Sequence, residues 1–182
     1  MARSRYKIYE TEYPYLITAS VVYGLPLFGI PGIANTVLSS LRFLQEKKEV
    51  KIYAYVMMEN HIHFIAQSDS LAGKVSAFKS FIARRSINFL KNNGHGIWLK
   101  RLREQKAKYK QDQTYQFWQE GYYPKQIIGD DMMIQKIEYI HNNPVKRGYV
   151  DRPEDWRYSS ICNYVDRGGE LLSITLFKGR NG

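Results

Sequence analysis

Cysteine is nearly absent from the chain: Cys162 stands alone among 182 residues. An intramolecular disulfide and a cysteine-rich zinc site are therefore excluded, and a reducing environment with stability drawn from packing is expected. Long apolar runs are missing too; none approaches the ~20 residues that span a bilayer. The basic opening, Met1-Ala2-Arg3-Ser4-Arg5-Tyr6-Lys7, lacks the uninterrupted apolar stretch and small-residue cleavage site of an export signal, so a cytoplasmic, nucleoid-associated location is expected. No internal repeat or low-complexity segment interrupts the sequence. Acidic residues are scarce, 17 against 27 Lys plus Arg, giving a formal charge of +10. That excess attracts polyanions before any specific contact forms, and nucleic acid is the first partner to consider. A membrane surface fits less well, because the cations are spread along the chain. The length suits one hydrophobic core. A single domain over 1–182 is expected, with a core of about 10–145 and an extension over 146–182.

The hydropathy pattern supplies an element order. Tyr15 to Val22 is short and rich in β-branched residues, as a buried strand is. Residues 33–47 put Ile33, Val37, Leu38, Leu41 and Leu44 on one helical face. Lys51 to Met58 and His61 to Ala66 form two strands joined at Glu59-Asn60, an antiparallel hairpin. From Ser70, Leu71, Val75, Phe78, Ile82 and Phe89 recur at helical spacing until Asn92-Asn93-Gly94. Strand, helix, strand, strand, helix opens an α+β fold, the ferredoxin-like α/β sandwich: an antiparallel sheet with helices on one face. Phe117 to Ile128 is the candidate for its remaining strand. A last helix begins near Asp130-Asp131 and is predicted to end at Asn143, before Pro144. The tail beyond it carries a small apolar strip at Leu171 to Phe177.

His61 and His63 alternate with Ile62 and Phe64, so both imidazoles leave one face of their strand while the apolar pair enters the core. Such a pair can clamp a metal, although a bare His-x-His also fits two unrelated histidines. On the last helix, Met133, Ile134, Ile137 and Ile140 make the apolar stripe, and Tyr139 lies nearly opposite its centre. Asn143 follows one turn later, within about 40° of Tyr139 in direction, whereas His141 points elsewhere. A packed ring and a helix cap are the alternative roles for Tyr139 and Asn143. Tyr122 and Tyr123 are rival nucleophiles without a carboxamide one turn away, Glu59 is a rival ligand from the turn, and His95 between two glycines has no metal role. Arg84 and Arg85 on the second helix, and the run Lys100, Arg101, Arg103, Lys106, Lys108 and Lys110 against the single acid Glu104, are candidate phosphate contacts.

Met58-Glu59-Asn60-His61-Ile62-His63-Phe64 resembles the His-hydrophobe-His motif of HUH transposases. Tyr139-Ile140-His141-Asn142-Asn143-Pro144-Val145-Lys146-Arg147-Gly148 resembles the tyrosine helix of the REP-associated tyrosine transposases within the single-tyrosine, IS200-like group. The likeness extends to Phe117-Trp118-Gln119 ahead of Gly121-Tyr122-Tyr123 and to Pro153-Glu154-Asp155-Trp156-Arg157-Tyr158-Ser159-Ser160, while residues 100–116 have no counterpart. The resemblance implies a divalent metal, Mg²⁺ or Mn²⁺, held by His61, His63 and Asn143, with Tyr139 as catalytic nucleophile. It further implies cleavage and rejoining of single-stranded DNA through a 5′-phosphotyrosine, at hairpin-bearing repeats. A monomer is favoured by the long tail after Pro144, against a dimer that exchanges the tyrosine helix. Two other readings share the fold: a hairpin-binding regulator without catalysis, and a metal-dependent nuclease in which water attacks and Tyr139 only orients.

Overall fold

The computed structural model describes residues 8, 10–121 and 124–179. Its centre is a four-stranded antiparallel sheet in the order β2-β3-β1-β4. The strands are β1 (Tyr15–Ser20), β2 (Lys51–Met57), β3 (His61–Gln67) and β4 (Lys125–Gln126). Helix α1 (Pro31–Lys48) links β1 to β2, and α2 (Leu71–Asn92) follows β3. Both cover one sheet face, where Ile17 and Ala19 of β1 and Ile62, Phe64 and Ala66 of β3 meet Val37, Leu41, Val75, Phe78 and Ile82 in the larger core. The alternation of β3 thus delivers Ile62 and Phe64 to the interior, as their spacing requires. α1 and α2 pack closely where Phe89 lies over Gly32, a position at which any side chain would collide with the ring. In α2 the fully buried residue near the end is Leu90, with Phe89 only partly buried.

The opposite sheet face carries α4 (Asp130–His141). Leu16, Ala54, Val56, Met58 and Ile65 of the sheet pack there against Met133, Ile137 and Ile140. Ile134, counted in the apolar stripe, is exposed, and His141 is buried instead. The stripe is rotated because His141 has a partner inside: its Nε2 lies 2.9 Å from Ser160 Oγ. In β2 a register shift between Ile52 and Ala54 reverses the parity, so Ile52 and Ala54 enter different cores.

Two expected boundaries move. The strand sought over Phe117–Ile128 is reduced to an isolated pairing of Trp118 with Val21 and the two residues of β4. Phe117 and Trp118 are drawn into the larger core, and the Trp118 indole donates to the Lys79 carbonyl. The last helix stops at His141, and a separate turn, α5 (Asn143–Lys146), continues it with Pro144 in its first turn. Proline has no N–H to give Ile140, so the ladder breaks there, yet proline is at home in a helix's first turn.

The basic run begins on a helix, α3 (Gly96–Glu104). The tail returns to the outer edge of β2, where Met57 N–H donates to Tyr158 O (2.8 Å), Ser160 N–H to Tyr55 O (3.0 Å) and Thr175 N–H to Ile52 O (2.9 Å). An otherwise open edge is thereby covered. A short helix, α6 (Ile161–Val165), lies between these contacts. No helix among the described residues is long and apolar enough to cross a membrane.

Candidate active site

Along β1 and β3 the residues facing α4 change character in step. Leu16 and Ile65 belong to the apolar layer, but the next positions are Thr18 and Ser20 on β1, paired in register with His63 and His61 on β3. Where the layer turns polar a cleft of about 480 Å³ opens, lined by Thr18, Ser20, Gly24, Asn60, His61, His63, Tyr139, Asn143, Lys146 and Arg147. The hairpin β2-β3, closed by Met58 N–H donating to His61 O (2.9 Å), sets the histidines at the end of their strand. α4 and α5 supply Tyr139, Asn143 and Lys146.

His61 and His63 are each only 6% exposed, with ring centroids 4.8 Å apart. Burial, then the Arg147 charge, lowers the His61 pKa to about 4; burial, His61 and Arg147 lower that of His63 to about 3. Both rings are consequently neutral at physiological pH, and each keeps a lone pair. Nδ1 of His61 is 2.6 Å from Asn60 Oδ1, and Nδ1 of His63 is 2.7 Å from Thr18 Oγ1. The Asn60 carbonyl oxygen can only accept, so His61 carries its proton on Nδ1 and presents Nε2 as donor atom. This backing of one ring nitrogen by an oxygen is what metal-binding histidines generally have.

Tyr139, 37% exposed, sits with its ring 5.5 Å from that of His63 and the Lys146 ammonium 5.5 Å from its centroid. Its place off the apolar stripe keeps the phenol out of the core and accessible. Asn143 is buried, lines the same cleft, and has no side-chain hydrogen bond to the described residues. Among the described residues no three of His, Cys, Asp and Glu cluster as metal ligands. A metal here would thus be held by two imidazoles and the Asn143 carboxamide, a neutral set that suits a divalent ion and leaves its charge free for phosphate oxygens. The residues present fit such an ion.

Glu59 does not line the cleft; its carboxylate lies 3.7 Å from Arg147, which does, and its charge partly offsets that of Arg147 at His61. His95 stacks on Phe89 and does not line the cleft. Tyr122 and Tyr123 lie outside the described residues. None of Arg84, Arg85, Lys100, Arg101, Arg103, Lys106, Lys108 and Lys110 lines the cleft. Five of the six cations of the run, all but Lys108, are engaged locally among the described residues. Lys100 faces Glu104, Lys110 pairs with Glu120 at 3.1 Å, and Lys106 donates to the Lys110 carbonyl. Arg101 and Arg103 lie over Trp98 and Tyr115, making an aromatic and cationic surface on α3. Sequence reasoning missed Thr18 and Asn60 as partners of the histidines, and Lys146 and Arg147 as the cleft's cations. Strand pairing was the signal available for Thr18; the two cations stood within the tyrosine-helix motif.

A curated protein of Haemophilus influenzae, named by assignment a REP-associated tyrosine transposase, is 28% identical over 121 residues, covering 59% of this chain. The chain matches 57% of that protein's length. A solved structure of a REP-associated tyrosine transposase bound to a REP hairpin superposes with a TM-score of 0.62 at 17% identity, covering 100% of this chain and 97% of the other. A Deinococcus radiodurans protein, assigned as a transposase, gives a TM-score of 0.45 at 18% identity, covering 78% of this chain and 97% of its own. No family model matches. The fold is that of the hairpin-bound transposase, and the chain resembles REP-associated tyrosine transposases in sequence.

Proposed function

We propose that the chain is a single-tyrosine transposase of the HUH kind, acting on single-stranded DNA at hairpin-bearing repeats. The observation that carries this reading is the meeting of Tyr139 with His61, His63 and Asn143 in one cleft. A tyrosine hydroxyl is a weak nucleophile at neutral pH and needs an electrophile activated by something else. A divalent ion held by His61, His63 and Asn143, Mn²⁺ more tightly than Mg²⁺ given two nitrogen donors, would polarise the scissile phosphate. Lys146 and Arg147 draw the strand's phosphates into the cleft. The Tyr139 oxygen bonds to phosphorus as the bond from phosphorus to the 3′ oxygen breaks. The phenol proton is lost to solvent, and the 3′ oxygen takes up a proton. The product is a 5′-phosphotyrosine with a free 3′-hydroxyl, so an incoming 3′-hydroxyl can reverse the step without a nucleotide cofactor.

Incubating the protein and Mn²⁺ with end-labelled single-stranded hairpin DNA, followed by a denaturing gel, tests the reading. A protein-linked DNA end is expected. Cleavage without attachment would mean that water attacks, and binding without cleavage would leave a hairpin-binding regulator.

A further inference from the structure

Tyr23 is 71% exposed, yet it occupies a conformation that exposure does not explain. It lies in the 3-10 turn Val22–Gly24 after β1, with φ 51° and ψ 24°. A bulky L residue seldom enters this left-handed region, and when one does the surroundings must hold it there. Gly24 follows, also at positive φ, 66°. The turn is held from two sides. Val21 N–H donates to Asn60 O and Val22 N–H to Phe117 O, while Tyr23 N–H reaches Gln119 Oε1 and Asn60 Nδ2 donates to Gly24 O. All this fixing gives the Tyr23 ring no interior contact: no hydrogen bond or ring contact joins its side chain to the described residues.

Its position relative to the cleft is specific. Gly24, the next residue, lines the cleft, as does Asn60, and the Asn60 side chain that grips the Gly24 carbonyl also bonds to Nδ1 of His61. One carboxamide thus ties the Tyr23 turn to a proposed metal ligand. We infer that Tyr23 is a stacking platform for an unpaired nucleobase next to the phosphate bound in the cleft. A tyrosine face stacks on any base, so it would set register more than sequence. Cations on the α5 side hold the backbone and a ring at the β1 end holds a base, which orients the strand across Tyr139. The inference rests on the reading of the chain as a protein that binds single-stranded DNA.

The full chain and its variants Tyr23→Phe, Tyr23→Ala and Tyr23→Gly are compared for affinity to a labelled single-stranded oligonucleotide, with thermal melting alongside. Tyr23→Ala and Tyr23→Gly are expected to bind roughly ten-fold more weakly, the scale of one base stack, and Tyr23→Phe as tightly as the parent. Tyr23→Gly is expected to melt no lower than the parent, because glycine adopts the turn's φ without strain. An abasic scan of the oligonucleotide should find one position whose loss weakens the parent but not Tyr23→Gly. Parent-like binding by Tyr23→Ala and Tyr23→Gly overturns the platform. So does a loss in Tyr23→Phe equal to that in Tyr23→Ala, or a lowered melting temperature in Tyr23→Gly. If the parent binds single-stranded DNA while the variants are indifferent, only the platform fails; if the parent does not bind it, the nucleic-acid reading fails as well.

Discussion

The ring of Tyr139 meets that of His63 edge to face, with centroids 5.5 Å apart and planes at 69°. The contact joins a helix on one side of the cleft to a strand at its floor, and it leaves the phenol accessible. Nothing in the apolar packing of α4 needs the hydroxyl, since Met133, Ile137 and Ile140 bury that helix.

Tyr139→Phe is therefore expected to fold, bind DNA and take up Mn²⁺ like the parent while forming no covalent adduct. Tyr122→Phe and Tyr123→Phe should still form it. Mass spectrometry of a digested adduct checks the assignment; a nucleotide on Tyr122 or Tyr123 would refute it.

Much of this site is written in the sequence because it depends on short-range periodicity. Two-residue alternation separates His61 and His63 from Ile62 and Phe64, and the helical period separates Tyr139 from its apolar neighbours. What could not be read depends on pairing between distant segments. Thr18 backs His63 only because β1 and β3 pair in a register that matches these residues. The bulge in β2 and the diversion of Phe117 and Trp118 into the core replace local strand preference with tertiary packing. The helix ends at His141, two residues before Asn143, because proline's missing N–H breaks the ladder and proline suits a new helix's first turn.

His61→Ala is expected to abolish cleavage and weaken Mn²⁺ binding while leaving DNA affinity within a few-fold, since phosphate contacts dominate affinity. Asn143→Ala should bind the metal more weakly and cleave slowly, with the imidazole pair still present. Asn60→Ala should lower Mn²⁺ affinity by roughly 10–100-fold, because it frees His61 to turn or change tautomer. Calorimetric titration with Mn²⁺ ranks the three; unchanged binding in His61→Ala would remove the clamp.

DNA binding should depend steeply on salt. If six phosphates are neutralised on a single strand, log affinity should fall with log salt at a slope of roughly −4. Lys146 and Arg147 line the cleft, Arg147 with Glu59, 3.7 Å away, as its only ion-pair neighbour among the described residues, while Lys100, Lys106 and Lys110 lie outside it and are held by Glu104, the Lys110 carbonyl and Glu120. Replacing Lys146 and Arg147 with alanine should therefore flatten the slope more than replacing Lys100 and Lys110. Filter binding across a salt series measures this, and equal effects would place the strand along α3 as much as at the cleft.

Ser160 tests how the tail supports the site. It is fully buried, and its hydroxyl serves three groups: Tyr55 N–H donates to Oγ at 2.9 Å, Oγ lies 3.2 Å from Tyr55 O, and His141 Nε2 is 2.9 Å away. It thus links the covered edge of β2 to the end of α4, two residues from Tyr139. Ser160→Ala removes the oxygen and leaves the His141 nitrogen buried without this partner. The expected cost is about 1–3 kcal/mol of stability, the penalty for stranding a buried polar group. Ser159→Ala is the comparison, since among the described residues the Ser159 hydroxyl accepts only from the Ile161 N–H, at 3.2 Å. Urea unfolding monitored by circular dichroism should show a lower midpoint for Ser160→Ala than for Ser159→Ala. If the two midpoints coincide, the tail is not braced against α4 through this hydroxyl.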